Sequence, residues 1–300
     1  MFNNQILLLC FIFKYITTLN NKLTLLKKQQ HYVWKNYLKP WSIQGKICCL
    51  REGKTFGSSL KNIGQQRYFY KAEKLTDNEQ DFLKGFIEYS SGENKASLYR
   101  LLKLYNNFSN GNEYAVNCGI EDIHSIIESR SIELLNNLYK DDFSFFQDPK
   151  LRNTFSFFVS AQYTRTNRMR ENISRERFQT PNLNNERLAR VFHLFFIDIT
   201  SNWIYNRTKI QLIINDTSKD LITGDQPVIN IKNNPRSLNE PEGFDLFYPI
   251  SPKKAILLSE EAEGIKYIKK DDVEQFNNLI FEHSEEQVYS KKMSDLKSFK

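Results

Sequence analysis

The chain has little of what usually announces a chemistry. Only four cysteines occur among 300 residues, at Cys10, Cys48, Cys49 and Cys118, with no CxxC pair and no histidine at zinc-ligand spacing. That pattern argues against a structural zinc site and against a disulfide framework, and reads as small core fillers in a reducing compartment, with Cys48 and Cys49 facing opposite sides of a strand. No glycine-rich phosphate loop, GxSxG elbow or HExxH helix is present, so the nucleotide-fold, hydrolase-elbow and zincin readings lose their usual support. No repeat of 20 to 50 residues and no low-complexity segment is visible beyond a general richness in Asn and Lys. Long hydrophobic runs are missing as well. The greasiest stretch, Ile6 to Phe13, is interrupted by Lys14 well short of the ~20 apolar residues that a bilayer crossing needs. No Lys or Arg precedes that run and no small-residue cleavage site follows it, which fits a secretory leader poorly. Residues 1 to 27 are therefore expected to be an extension, a disordered tail or a misassigned start ahead of the working domain. A membrane tether ranks second, and a cytoplasmic location is expected.

What is present is ordinary core-forming material: 40% hydrophobic and 26% charged residues place the chain well outside the disordered range. A chain of this length buries roughly three quarters of its unfolded surface, enough for one sizeable core. The balance of 42 Lys and Arg against 35 Asp and Glu gives a net charge of +7, in the direction of an anionic partner such as nucleic acid or a nucleotide. An excess this small is also common in proteins that touch no nucleic acid.

Periodicity divides the chain. From Gly45 to Tyr70, short apolar runs alternate with Gly and Ser breaks, predicting two or three short strands. At Leu75 the period changes: Thr76 can cap a helix with Glu79 at the box position, and Phe82, Leu83, Phe86 and Ile87 recur at helical spacing. Further helices are predicted over Ala96 to Tyr105, Glu121 to Tyr139 and Lys150 to Arg170. Another follows Pro181, capped by Asn184 or Asn185, with Leu188, Val191, Phe192, Phe195, Phe196, Ile199 and Trp203 on its apolar face. Strand patterns return in Lys209 to Ile214, Asp220 to Thr223, Val228 to Lys232 and Lys254 to Leu258, and a helix over Asp272 to Tyr289 closes the chain. This order predicts an α+β fold: one domain over 28 to 300, with a small mixed or antiparallel sheet, a mainly helical insertion over about 75 to 205 and a C-terminal helix.

Three stretches carry candidate chemistry. In LRNTFSFFVSAQYTRTNRMRE the apolar stripe of Phe155, Phe158 and Val159 is continued by Gln162, Arg165 and Met169, so polar groups enter a buried stripe. Gln162, Arg165 and Arg168 lie three apart and could offer two guanidinium forks to a carboxylate or phosphate, or could mark where the helix leaves the core for solvent. In DLITGDQPVIN, Asp225 follows a buried strand end, where a carboxylate could orient an imidazole, reach a divalent metal through waters or act as a base; ordinary turn chemistry is the alternative. The third is His31 with Tyr32 in QQHYVWKNYLKPWS, echoed by FDLFYPISPKK, an aromatic strand punctuated by proline. Of the other histidines, His193 lies on an apolar helix face, where a satisfied core role is expected.

These segments together resemble a bacterial family called domain of unknown function 4238. Its N-terminal motif is similar to HYVPQFYLRxF, its helix carries a QxxRxxxR-like element and its third motif reads like TSDxPV. The resemblance runs from about Gln29 to Tyr289. Trp34, Lys35, Asn167 and Gly224 depart from it, and Gly224 stands where the family shows a serine. The resemblance brings no activity with it, but it implies that His31, Gln162, Arg165 and Asp225 converge on one pocket. The expectation is a hydrolase of a phosphate-containing substrate, a nuclease or other phosphodiesterase, in a toxin or phage-defence setting. In it His31 and Asp225 are catalytic, Gln162, Arg165, Arg168 and Tyr32 bind substrate, and a divalent metal is admissible. The rival is a non-catalytic binding or sensing module in which the same groups form a structural Arg, Asp and His network.

Overall fold

The computed structural model describes residues 26–174, 182–234 and 242–299, so all but the end of the expected N-terminal extension lies outside the described residues. By Lys27 the chain is already tied down, its Nζ 3.0 Å from the Asp122 carboxylate.

Strand β1 (Gln29–His31) leads into a single helical turn, α1 (Lys35–Leu38), and a 3-10 turn that Pro40 helps to start. The hairpin of β2 (Lys46–Arg51) and β3 (Lys54–Ser59) turns on Glu52 and Gly53, both with positive φ, as a two-residue turn that matches strand twist requires. Strand β4 (Gln65–Arg67) then returns to pair antiparallel with β1.

The helical run occupies Asp77 to Arg207. Helix α2 (Asp77–Glu88) opens with the anticipated capping box, and the same Glu79 carboxylate also accepts from Arg187 Nη1 at 2.9 Å and the Asn184 amide at 3.2 Å. Helices α3 (Gly92–Ser109) and α4 (Glu113–Tyr139) extend beyond their expected limits, α4 because Asn112 caps it a full two turns earlier. The stretch expected as one helix over Lys150 to Arg170 is two: α5 (Pro149–Thr164) and α6 (Asn167–Ser174). Arg165 leaves helical geometry at φ −85° and ψ 18°. Thr166 then restarts the helix, its Oγ1 accepting from the Met169 amide at 3.2 Å as a new N-cap. Helix α7 (Asn185–Arg207), capped by Asn184, follows and packs on α5 and α6.

The rest of the chain is mostly sheet. Strands β5 (Lys209–Ile214), β6 (Thr223–Gly224), β7 (Ile229–Asn230), β8 (Leu246–Ser251), β9 (Lys254–Ser259) and β10 (Gly264–Tyr267) precede α8 (Lys270–His283) and β11 (Gln287–Ser290). One sheet runs β10-β5-β9-β8-β7, antiparallel except for the parallel β10–β5 pair; a second, antiparallel throughout, runs β3-β2-β11-β6. The fold is α+β with mixed and antiparallel sheets. The terminal helix expected to reach Tyr289 stops at His283: the Ser284 amide makes the last helical bond, to the Ile280 carbonyl, the amides of Glu285, Glu286 and Gln287 bond instead to the Asp225 carboxylate, and the chain then pairs as β11 between β2 and β6.

The aromatic N-terminal stretch lies in the core. Tyr37 stacks on Tyr248 with ring centroids 5.0 Å apart and donates to the Pro249 carbonyl at 2.8 Å, and Trp41 Nε1 donates to the Leu221 carbonyl at 2.8 Å. Pro249 cannot donate to the ladder, and the register of β8 on β9 shifts there. Among the described residues no helix is long and apolar enough to cross a membrane.

Candidate functional site

Helix α4 carries Glu121, His124 and Glu128 at i, i+3 and i+7, which a 3.6-residue period brings onto one face. That face meets the end of α5, where Arg165 turns out of the helix with its side chain only 1% exposed. Arg165 Nη1 lies 2.6 Å from Glu128 Oε1, and its Nη2 donates to Gln162 Oε1 at 3.0 Å. Three rings close another side: Tyr70 and His124 have centroids 4.6 Å apart, His124 and His193 5.0 Å, and Tyr70 and His193 5.8 Å. The Tyr70 hydroxyl donates to the His31 carbonyl at 3.3 Å.

The hydrogen-bond accounting of this region is incomplete. Glu121 Oε2, both ring nitrogens of His124, His193 Nε2, His31 Nδ1, Gln162 Nε2, Arg165 Nε and the Tyr248 hydroxyl are all buried without a protein partner. Buried polar atoms are paired in the great majority of cases, so this many orphans within electrostatic reach of one guanidinium mark a buried polar cluster, the chamber, with unmet hydrogen-bonding capacity that solvent or a ligand would satisfy. His193 is therefore not the satisfied core histidine that its helix face suggested.

Burial and Arg165 sort the protonation states. Burial pushes the Glu121 carboxyl up to about 8, against the pull of Arg165. Burial and the Arg165 charge both lower His31, and burial, His193 and Arg165 lower His124, so both imidazoles are neutral at pH 7. Burial alone would lower Arg165, but Glu128 holds it above its ordinary value; burial raises Glu128 against the attraction of Arg165. The two tendencies oppose each other, and the 2.6 Å contact favours the charged pair. A carboxyl that keeps its proton beside imidazoles that lack theirs is a matched acid and base set.

The segments singled out in the sequence meet at one corner, but their side chains divide between two tasks. His31, Gln162 and Arg165 belong to the chamber. Tyr32, Asp225 and Arg168 belong to a latch on the α8–β11 turn. Asp225 Oδ1 accepts from the Glu285 amide at 2.8 Å, and its Oδ2 from the amides of Glu286 at 2.8 Å and Gln287 at 3.0 Å. Arg168 Nη1 donates to Glu285 Oε2 at 2.7 Å, and Gln287 Nε2 donates to the Tyr32 hydroxyl at 3.1 Å. Gln226 stitches the latch to the chamber's helix, donating to the Tyr163 carbonyl at 2.9 Å and bonding Thr166. Burial raises Asp225 to about 6, against its three amide donors.

Gly224 is explained by the same corner. A Cβ there would lie 1.9 Å from Ser284 Oγ, so the hydroxyl of Ser284 fills the space that a serine at 224 would need. Among the described residues no group of three or more His, Cys, Asp or Glu side chains could hold a metal ion.

A family model described as Protein of unknown function (DUF4238) matches residues 29–294. The chain belongs to that family. The match begins at the first residue of β1 and ends beyond β11, so it takes in both the chamber and the latch. No curated protein and no solved structure matches the chain. Glu121, His124 and Glu128 are not singled out by the sequence motifs, although titratable groups at i, i+3 and i+7 among the isoleucines of GIEDIHSIIES are a visible signal.

Proposed function

We propose that the chain hydrolyses phosphate esters of small soluble molecules, nucleotides rather than nucleic-acid strands, at the chamber around Arg165. The observation that carries this reading is the set of buried, unpartnered polar atoms facing a fixed guanidinium. Arg165, anchored by Glu128 and Gln162, keeps Nε for a phosphoryl oxygen, and Gln162 Nε2 supplies a second donor. Neutral His31 takes a proton from the attacking water as its oxygen bonds to phosphorus. Protonated Glu121 gives its proton to the ester oxygen as that phosphorus–oxygen bond breaks. A guanidinium with 1% exposure is out of reach of a duplex, which is why a small substrate is favoured over a polymer. Asp225 and Arg168 are assigned to holding the turn rather than to the chemistry.

The test is hydrolysis of phosphomonoesters, mononucleotides, dinucleotides, RNA and DNA by the full chain, with and without added divalent cations, beside His31→Ala, Glu121→Gln and Arg165→Lys. Turnover of a small ester that falls at least about a hundredfold in Glu121→Gln supports the assignment. Equal rates in all four proteins, or no turnover of any substrate, overturns it.

One observation favours a second reading, a non-catalytic module with a structural network: both Nη atoms of Arg165 are already committed to protein acceptors. It predicts that Arg165→Lys melts far below the wild type while Glu121→Gln alters stability without altering the binding of any ligand.

A further inference from the structure

A pair of arginines lies beside the chamber, and among the described residues no carboxylate pairs with either of them. Arg170 of α6 rests on the Phe69 ring, its guanidinium carbon 3.6 Å from the ring centroid, and its Nη2 donates to the Phe69 carbonyl at 2.7 Å. Arg190 of α7 reaches the same oxygen, with Nη1 3.1 Å from the Phe69 carbonyl and 3.2 Å from that of Lys71. Two guanidinium groups thus converge on one neutral oxygen. Arg190 Nε is buried without a partner; both residues are half-buried, and the Phe69 ring shields the Arg170 guanidinium.

The neighbours do not cancel this charge. Arg187, one turn before Arg190, is taken by Glu79 at 2.9 Å and Glu73 at 3.8 Å. Glu186 attracts Arg170 from a distance, yet among the described residues neither Arg170 nor Arg190 has a carboxylate within ion-pair reach. Arg190 repels Arg170, whose buried guanidinium is lowered to about 10 by burial first and by that repulsion second. Like charges held this close, one of them fixed flat on a ring, are stabilised by an anion, and each fork still has free N–H groups for it.

We propose that Arg170 and Arg190 form a binding site for the phosphate group of a soluble small molecule, with Phe69 as the platform that fixes one fork. Planar forks that keep several donors each suit a tetrahedral oxyanion carrying two negative charges. The site is separate from the Arg165 ion pair and does not depend on hydrolysis there.

Calorimetric titration of the full chain with inorganic phosphate and with pyrophosphate, at constant ionic strength, tests it. Pyrophosphate binds the wild type. Arg190→Gln weakens that binding by at least about tenfold, Arg190→Lys by less, and Arg207→Gln, at the exposed end of the same helix and outside both sites, leaves it unchanged. Circular dichroism melts of each variant confirm folding, and because Arg190 is partly exposed, its glutamine variant is the one that decides if Arg170→Gln fails to fold. An unchanged Kd in Arg190→Gln, or no binding of millimolar pyrophosphate by the wild type, overturns the assignment.

Discussion

Replacing Glu121 with glutamine separates stability from chemistry at a single atom. Glutamine copies the shape of a protonated carboxyl and cannot titrate. In the folded protein burial raises Glu121 to about 8, whereas an unfolded glutamate titrates near ~4.3. Between those values the folded chain keeps a proton that the unfolded chain has lost. The contribution to stability is therefore fully present below about pH 4 and drains away as pH rises towards 8. At pH 7 about 2.7 pH units of that window have been crossed, which at 1.36 kcal/mol per unit is roughly 4 kcal/mol. The glutamine variant does not carry this loss. Denaturant unfolding should give nearly equal stabilities for the two proteins at pH 4.5, and at pH 8 the variant should be more stable by roughly 3–5 kcal/mol. The same substitution removes the proposed proton donor, so turnover should fall while stability rises. A difference independent of pH, or a variant less stable at pH 8, would refute the account of the chamber as a place where a carboxyl keeps its proton.

Four further outcomes are expected. Arg165→Met leaves Glu128 buried without its partner and should cost roughly 3–5 kcal/mol; adding Glu128→Leu should recover most of it, and a double variant as unstable as the sum of the singles would count against a buried ion pair. Asp225→Ala removes the acceptor for three amides, of which Gln287 is buried and Glu286 exposed, so a loss of about 2–4 kcal/mol and faster hydrogen exchange at Glu285 to Gln287 are expected; unchanged exchange there would disprove the latch. Gly224→Ala should cost roughly 1–3 kcal/mol and be rescued in part by Ser284→Gly, with no rescue meaning that the strain lies elsewhere. If hydrolysis is found, its rate should fall below a limb under the ordinary histidine pKa, where His31 takes up its proton, and again above about 8, where Glu121 loses its own; a flat profile would remove both from the reaction.

The helices and hairpins were legible because their signals are local. Thr76 with Glu79, Asn184 ahead of the apolar face of α7 and the break-rich stretch from Gly45 all produced the elements they announced. The errors came where a long-range bond overrode the local pattern. Nothing in DDVEQFNNLIFEHSEEQVYS marks His283 as the last helical residue, because the group that captures the amides of Glu285, Glu286 and Gln287 is Asp225, some 60 positions away. The break at Arg165 is of the same kind: the helix-forming run continues in sequence, but Arg165 turns out of the helix towards Glu128 and Thr166 caps a fresh start.

The chamber shows why a buried charge in a sequence points to a site without describing it. Gln162 and Arg165 interrupt an apolar stripe, and that alone implies a partner, since an unpaired buried guanidinium would cost more than a fold of this size can readily supply. It does not say where the partner is. The answer lay 37 positions earlier on another helix, in charged residues whose own spacing was helical and whose neighbours were isoleucines. Two interrupted stripes in one chain, one cationic and one acidic, are complementary evidence: each needs an opposite charge in the core, and packing the two faces together satisfies both. The same reasoning explains why Arg168 pairs elsewhere. It follows the break at Arg165, so it no longer shares the face that meets α4 and is carried instead to Glu285 beside the latch. Arg170 lies further along the same new helix and meets Arg190, and among the described residues no carboxylate pairs with either, which makes the arginine pair, rather than Arg168, the proposed place for an anion from outside the chain.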